Sequence, residues 1–184
     1  GYKEICDWLD GKTLEIYNTK NNTAAFKHYF IDTEYTTPHD LAVAYAQRDW
    51  NATIKDVFRQ TLYNAFEKYD EKIYSKILDL REANQSVEER PVSAFKIVCN
   101  ISPDIDFFWN GKIYHDNAEL AQDLYKSVEE DNNIFEPLFS SKALRVFYEV
   151  NEKRRINIEA IDDVLRVSEE SLERAQLYYA ELLS

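Results

Sequence analysis

Apolar positions recur at helical spacing in two stretches of this 184-residue chain, residues 35–72 and 114–153. Side chains three and four residues apart lie on one face of an α-helix, so this pattern predicts an amphipathic helix at the start of each stretch. The matching positions are Leu41, Ala42 and Tyr45 in the first stretch and Leu120, Ala121 and Leu124 in the second.

The two stretches also share their helix starts and several later positions. Thr37, followed by Pro38, is typical of an N-cap, and Asp116 takes the same place in the second stretch. Both residue types accept hydrogen bonds from the amides of a first helical turn. We interpret the repetition as an internal duplication. The aligned residues are Tyr35 with Tyr114 and, after a two-residue difference in length, Phe58, Phe66, Glu71 and Lys72 with Phe139, Phe147, Glu152 and Lys153.

The resulting prediction is a mainly α (α+β) fold with two related helical units. Each unit is preceded by a short strand or hairpin, and a long helix closes the chain. Residues 1–23 are interpreted as the end of a helix and a polar loop. Residues 24–82 are repeat unit 1, residues 83–92 a linker, residues 93–155 repeat unit 2, and residues 156–184 a C-terminal amphipathic helix.

The strand and hairpin predictions rest on short local segments. The apolar run Phe95–Ile101 is rich in β-branched residues and lies between two prolines, which is typical of a strand. Asn110-Gly111 is flanked by apolar residues and is a strong hairpin signal. The first stretch has no glycine at the corresponding place, so its hairpin is predicted to be looser or absent.

The tail has an apolar stripe at three-four spacing from Ile158 to Leu182. Only Ser168 interrupts the stripe, and this serine is an alternative cap for a second helix. Ala175 and Tyr179 weaken the stripe as a dimer seam. We therefore expect the helix to fold back on its own chain and leave a monomer, with a homodimer through this helix as the alternative.

The net charge of −12, from 34 acidic and 22 basic residues, restricts the partners. An acidic surface repels phosphate backbones and anionic membranes, so we expect no nucleic-acid partner and no direct membrane contact. The one compact basic run is Lys153-Arg154-Arg155. We interpret this run as a helix end that complements the helix dipole in preference to a nucleic-acid patch.

The cysteines and the start of the chain predict a cytoplasmic location and a larger parent protein. Cys6 and Cys99 lie far apart without metal-type spacing, which favours a reducing compartment. No apolar run approaches the roughly 20 residues of a membrane span. The chain contains no methionine and begins Gly-Tyr-Lys, so we expect it to be part of a larger protein.

No catalytic, cofactor-binding or metal site is predicted, because the chain has no P-loop, dinucleotide fingerprint, nucleophile elbow or HExxH motif. His115 and Glu119 have metal-pair spacing, but Glu119 belongs to a first helical turn and His115 precedes its cap. Asp104 and Asp106 resemble part of a calcium loop, without its glycine and distal glutamate. The aromatic run suits a ligand-stacking platform or, preferably, a packed core. That run comprises Phe107, Phe108, Trp109 and Tyr114.

The primary functional hypothesis is a non-catalytic helical-repeat interaction module, because repeat units offer an extended surface. Its partner would be another protein or another part of the parent polypeptide. Two alternatives remain open: an enzyme with a site at the junction of the two units, and an acidic inhibitor or antitoxin-like protein that occupies a basic partner site. Phrases of the type Tyr, Leu-Ala and Leu-x-x-Phe are similar to helical segments of bacterial multidomain regulatory proteins, which favours a bacterial source.

Overall fold

The structure is a computed structural model that describes residues 25–83 and 86–184. These residues form two antiparallel hairpins and ten α-helices, which confirms the mainly helical prediction. The first half contains β1 (His28–Phe30), β2 (Thr33–Tyr35), α1 (Pro38–Gln47), α2 (Trp50–Asp56), α3 (Gln60–Glu67), α4 (Glu71–Glu82) and α5 (Arg90–Ile101). The second half contains β3 (Phe108–Trp109), β4 (Lys112–Ile113), α6 (Asn117–Glu129), α7 (Glu136–Ser140), α8 (Ala143–Val150), α9 (Ile158–Ser168) and α10 (Leu172–Leu183).

The same order of elements, a hairpin followed by five helices, occurs in both halves. The predicted helix starts are present: Thr37 caps α1 by accepting from Asp40 N–H, and Asp116 caps α6 by accepting from Ala118 N–H. In each half the fifth helix packs against the first, so α5 contacts α1 and α10 contacts α6. A common origin of the two halves stays a prediction.

The predicted strand over Phe95–Ile101 is wrong, because these residues form most of α5. Pro91 lies in the first turn of α5, where the missing amide hydrogen costs nothing. Every residue from Ile97 to Ile101 is buried, and an apolar run of this length cannot be assigned to a strand or to a buried helix by its periodicity. The predicted linker of residues 83–92 also ends inside this helix.

Both hairpins are present, so the expectation of a loose or absent first hairpin is wrong. In the predicted second hairpin, Asn110 and Gly111 form the turn, both with positive φ. In the first hairpin, Phe30 pairs with Thr33, and Ile31 takes the turn position with φ of 60°. A β-branched residue rarely adopts this conformation, and no sequence signal pointed to it.

The C-terminal stripe forms two helices, α9 and α10, instead of one long helix. The second helix is capped by Ser171, whose Oγ accepts from Arg174 N–H, whereas Ser168 Oγ donates to Leu165 O. The stripe packs on α6, α7 and α8 of the same chain. Tyr179 is buried there, and its hydroxyl lies 2.7 Å from that of Tyr148.

The two halves share one apolar core that is centred on α5. The Phe95 ring is fully buried, with ring-centroid distances of 4.8 Å to Phe108, 5.7 Å to Phe107, 5.8 Å to Trp109 and 6.4 Å to Phe147. All four partners belong to the second half. The last helix of the first half is therefore also the support of the second hairpin and of α8.

A second contact joins the halves at the turn of the second hairpin. The ring of Trp50, at the start of α2, lies 5.8 Å from that of Trp109. Gly111 has φ of +87°, and a Cβ atom there would lie 3.4 Å from the carbonyl oxygen of Arg48. That distance is an ordinary contact, so glycine is favoured at this position by the positive φ and not by lack of space.

No helix within residues 25–83 and 86–184 has the length and apolar character needed to cross a membrane. The interpretation of residues 1–23 as a helix end and polar loop lies outside the described residues.

Replacing Asp116 by alanine removes the side-chain cap of α6, and we expect the free energy of unfolding to fall by about 1 kcal/mol. Urea denaturation followed by circular dichroism measures the loss. The exposed Gln122, in the middle of α6, provides the control variant Gln122→Ala. An unchanged midpoint for Asp116→Ala would mean that this cap does not stabilise the helix.

The second hairpin is held to α6 by Asp123, which accepts hydrogen bonds from Lys112 Nζ at 2.9 Å and from Tyr114 OH at 2.7 Å. Partial burial alone would raise the pKa of Asp123, but these two hydrogen bonds lower it overall. A carboxylate with a lowered pKa in the folded state stabilises the protein above its unfolded-state pKa. That stabilisation is lost as the pH falls through the folded-state value.

We therefore expect Asp123→Asn to destabilise the protein at neutral pH, with a difference from wild type that shrinks below about pH 4. Urea midpoints of both proteins between about pH 7 and about pH 3 measure this convergence. Glu67→Gln, at an exposed position of α3, is the control. A constant difference across the range would contradict the role assigned to the carboxylate.

Candidate functional site

The residues with metal-pair spacing do not form a site together. His115 Nδ1 lies 2.7 Å from Asp106 Oδ2, whereas Glu119 pairs with Lys112 Nζ at 3.2 Å. Each side chain is thus engaged by a different partner. Within the described part of the chain, no cluster of three His, Cys, Asp or Glu side chains has the arrangement needed to hold a metal ion.

The partial calcium motif is divided in a similar way. Asp104 Oδ1 accepts a hydrogen bond from Ser102 Oγ at 2.8 Å and lies 3.2 Å from His39 Nδ1. The hydrogen bond from Ser102 lowers the pKa of Asp104. Asp106 instead faces His115 and Lys153. The two carboxylates therefore hold different loop contacts and do not converge on one point.

The aromatic run is core. Phe107, Phe108, Trp109 and Tyr114 are all buried, and their rings pack on α5 and α8 or on each other. Trp109 Nε1 donates to the carbonyl oxygen of Ile134 at 2.7 Å, which satisfies its one polar group. Each of the four rings is at most 6% exposed, so the run belongs to the core and does not form a stacking platform.

A buried polar network in the first half was not predicted from the sequence. Asp56 Oδ2 accepts a hydrogen bond from Tyr45 OH at 2.5 Å and lies 2.7 Å from His28 Nε2. All three side chains are buried, and Arg59 reaches the other carboxylate oxygen at 3.7 Å. The residues come from β1, α1 and α2, which are separate in sequence, so no local motif identifies them.

This network fits a structural role better than a catalytic one. It contains a single carboxylate, whereas general acid–base chemistry on a substrate needs an accessible group beside the reacting atoms. Burial raises the pKa of Tyr45 well above its ordinary value, so the phenol stays protonated and donates to Asp56. The three side chains satisfy one another and hold the first hairpin against α1 and α2.

An open groove of about 720 Å³ lies at the junction of the halves. It runs between α4 and α8, beside the end of α5. Its apolar lining is half-buried and is contributed by both halves: Ile73, Leu80, Pro103, Val146 and Val150. Half-buried apolar side chains from two helices form the kind of floor that receives an amphipathic helix.

Charged side chains of opposite sign line the two sides of this junction groove. Lys72 and Lys76 extend from α4, together with Asp79, and Glu149 and Glu152 lie on the side of α8. Glu149 pairs with Arg145 at 3.4 Å. Within the described residues, the other four charged side chains have no ion-pair partner in the chain. The described residues that line the groove include neither a histidine nor a buried carboxylate.

We expect Asp56→Ala to lower the free energy of unfolding by about 3 kcal/mol, because His28 and Tyr45 lose their common acceptor inside the core. Asp56→Asn keeps one acceptor oxygen and should cost less. Glu82→Ala, at an exposed position of α4, serves as the control in the same urea series. A loss below about 1 kcal/mol for Asp56→Ala would show that the network is not needed for the fold.

Comparison of the chain with protein-family models, with curated proteins and with solved structures gave no match.

Proposed function

We propose that the chain is a non-catalytic interaction module that binds a partner segment in the junction groove. The observation that carries the proposal is the groove itself, an apolar floor shared by both halves and bordered by charged side chains, four of which have no ion-pair partner among the described residues. The partner is a segment of another protein or of the parent polypeptide. We also propose a cytoplasmic location, which the buried free thiol of Cys99 supports.

The shape and charge of the groove favour an amphipathic helix as the occupant. Lys72 and Leu80 are eight positions apart on α4, or about 12 Å, which matches a little more than two turns of a bound helix. An apolar stripe on that helix would cover the floor. Its two edges would carry opposite charges, carboxylates beside Lys72 and Lys76 and basic groups beside Glu149 and Glu152.

The alternatives receive less support from the described residues. An acidic inhibitor needs a contiguous acidic face, but the exposed carboxylates of the second half are interspersed with basic partners. Examples are Lys126 with Glu130 and Arg174 with Glu170. An enzyme needs converging reactive groups, and the junction groove has none.

The charge arrangement gives a direct test with three fluorescent amphipathic peptides of about four helical turns. One peptide has glutamates along one edge of its apolar stripe and lysines along the other. The second has lysines on both edges, and the third has glutamates on both. Fluorescence anisotropy should show several-fold tighter binding of the mixed-edge peptide, because only this peptide complements both sides of the groove at once.

The variant Lys72→Glu/Lys76→Glu makes both sides of the groove acidic, so the peptide with lysines on both edges should become the tightest ligand. Lys55→Glu/Lys126→Glu changes the net charge equally outside the groove and should keep the wild-type order of affinities. Saturable binding should also weaken as salt is added. Absence of saturable binding, or an unchanged order of affinities in the groove variant, would rule out the proposal.

A further inference from the structure

The basic run of the sequence lies in a connection that is longer in the second half than in the first. Residues 68–70 join α3 to α4, whereas residues 151–157 join α8 to α9, so the second connection has four more residues (seven against three). The second connection carries Lys153, Arg154 and Arg155. Insertions in one repeat of a repeated fold commonly carry its specific binding function.

This connection forms one wall of a cleft of about 360 Å³. The opposite wall is the segment between β4 and α6, with His115 and Asp116. The bottom is apolar and comes from the shared core: Ile105, Phe107, Phe147 and Ile156. The cleft thus combines an apolar base with a charged entrance, and its volume falls within the range of small-ligand sites.

The basic wall is fixed by hydrogen bonds to its neighbours. Asn151 is buried, and its Nδ2 donates to the carbonyl oxygen of Ile105 at 2.8 Å. The Oδ1 of Asn151 accepts from Lys153 N–H at 2.9 Å. Glu152 N–H donates to the carbonyl oxygen of Pro103 at 3.1 Å. The backbone that carries the cations is therefore held in place before any ligand arrives.

The charges at the entrance do not cancel. Asp106 accepts from Lys153 Nζ at 3.2 Å and from His115, so this carboxylate is already occupied. Asp116 accepts from Ala118 N–H and lies at the positive end of α6, which offsets its charge. Within the described part of the chain, Arg154 and Arg155 have no carboxylate partner. This is notable because the chain has twelve more acidic than basic residues.

We propose that this cleft binds a phosphate monoester whose organic part is apolar or aromatic. The two guanidinium groups offer forked donors that match the oxygens of a phosphate, and Arg binds such oxyanions with two hydrogen bonds at once. The apolar base formed by Phe107, Phe147 and Ile156 receives the organic part. This inference is independent of the junction groove, which uses other residues.

The dianionic monoester fits better than a carboxylate or a nucleic-acid phosphodiester. A monoester carries about two negative charges near neutral pH and three terminal oxygens, enough to engage both guanidinium groups. A carboxylate has one charge and two oxygens. A nucleic-acid backbone would need a longer basic track, whereas the cations here are confined to one short connection on an acidic surface.

Titration calorimetry of the full chain with phenyl phosphate at low salt tests the proposal. We expect saturable one-to-one binding with a dissociation constant of about 1 mM or tighter, and weaker binding of inorganic phosphate and of phenylacetate. Arg154→Gln/Arg155→Gln should weaken phenyl phosphate binding by at least about tenfold. Arg166→Gln/Arg174→Gln removes the same charge from α9 and α10 and should leave binding unchanged.

A phosphotyrosine peptide distinguishes the sources of the monoester. Tighter binding than phenyl phosphate would identify a phosphorylated protein as the natural ligand, and equal or weaker binding would identify a small metabolite. The proposal would be overturned if phenyl phosphate did not bind saturably, or if the two double variants lost equal amounts of affinity for it. Preferential binding of a short single-stranded oligonucleotide would overturn it as well, because the recognised group would then be a phosphodiester.

Discussion

The burial of one helix, α5, is the constraint on which the rest of the structure depends. Phe95 contacts rings in and just before β3 and one ring of α8, while other parts of α5 pack on α1, α2 and α4. The junction groove exists because α5 separates α4 from α8. The phosphate cleft likewise has Phe107 and Phe147, two ring partners of Phe95, at its base. Both proposed binding surfaces are therefore positioned by the same packing.

Local signals in the sequence predicted the elements that have a polar side. The caps at Thr37 and Asp116 were recognised because capping is a short-range interaction between neighbouring residues. The turn at Asn110-Gly111 was recognised for the same reason. The strand prediction for α5 is wrong because eight of its twelve residues are buried, and its short apolar run has the same composition as a buried strand.

The candidate sites were not predicted because they depend on contacts between distant segments. The groove brings α4 and α8 together across more than sixty residues, and no pairing signal links Lys76 to Glu149 in the sequence. The basic run at Lys153 was recognised, but as a helix end. Its different placement in a connection that folds over Phe147 is a tertiary property. The network around Asp56 could not be predicted for the same reason, because its three residues belong to three separate elements.

The position of Phe95 also has a consequence for cooperativity. If the second half opened alone, the rings that cover Phe95 would leave, and an aromatic face of the first half would be transferred to water at a cost of about 25 cal/mol per Å². Unfolding of one half alone therefore costs free energy, whichever half opens. Amides in α5 and in the second hairpin should exchange with solvent only through an opening that involves both halves, which makes the two halves one thermodynamic unit.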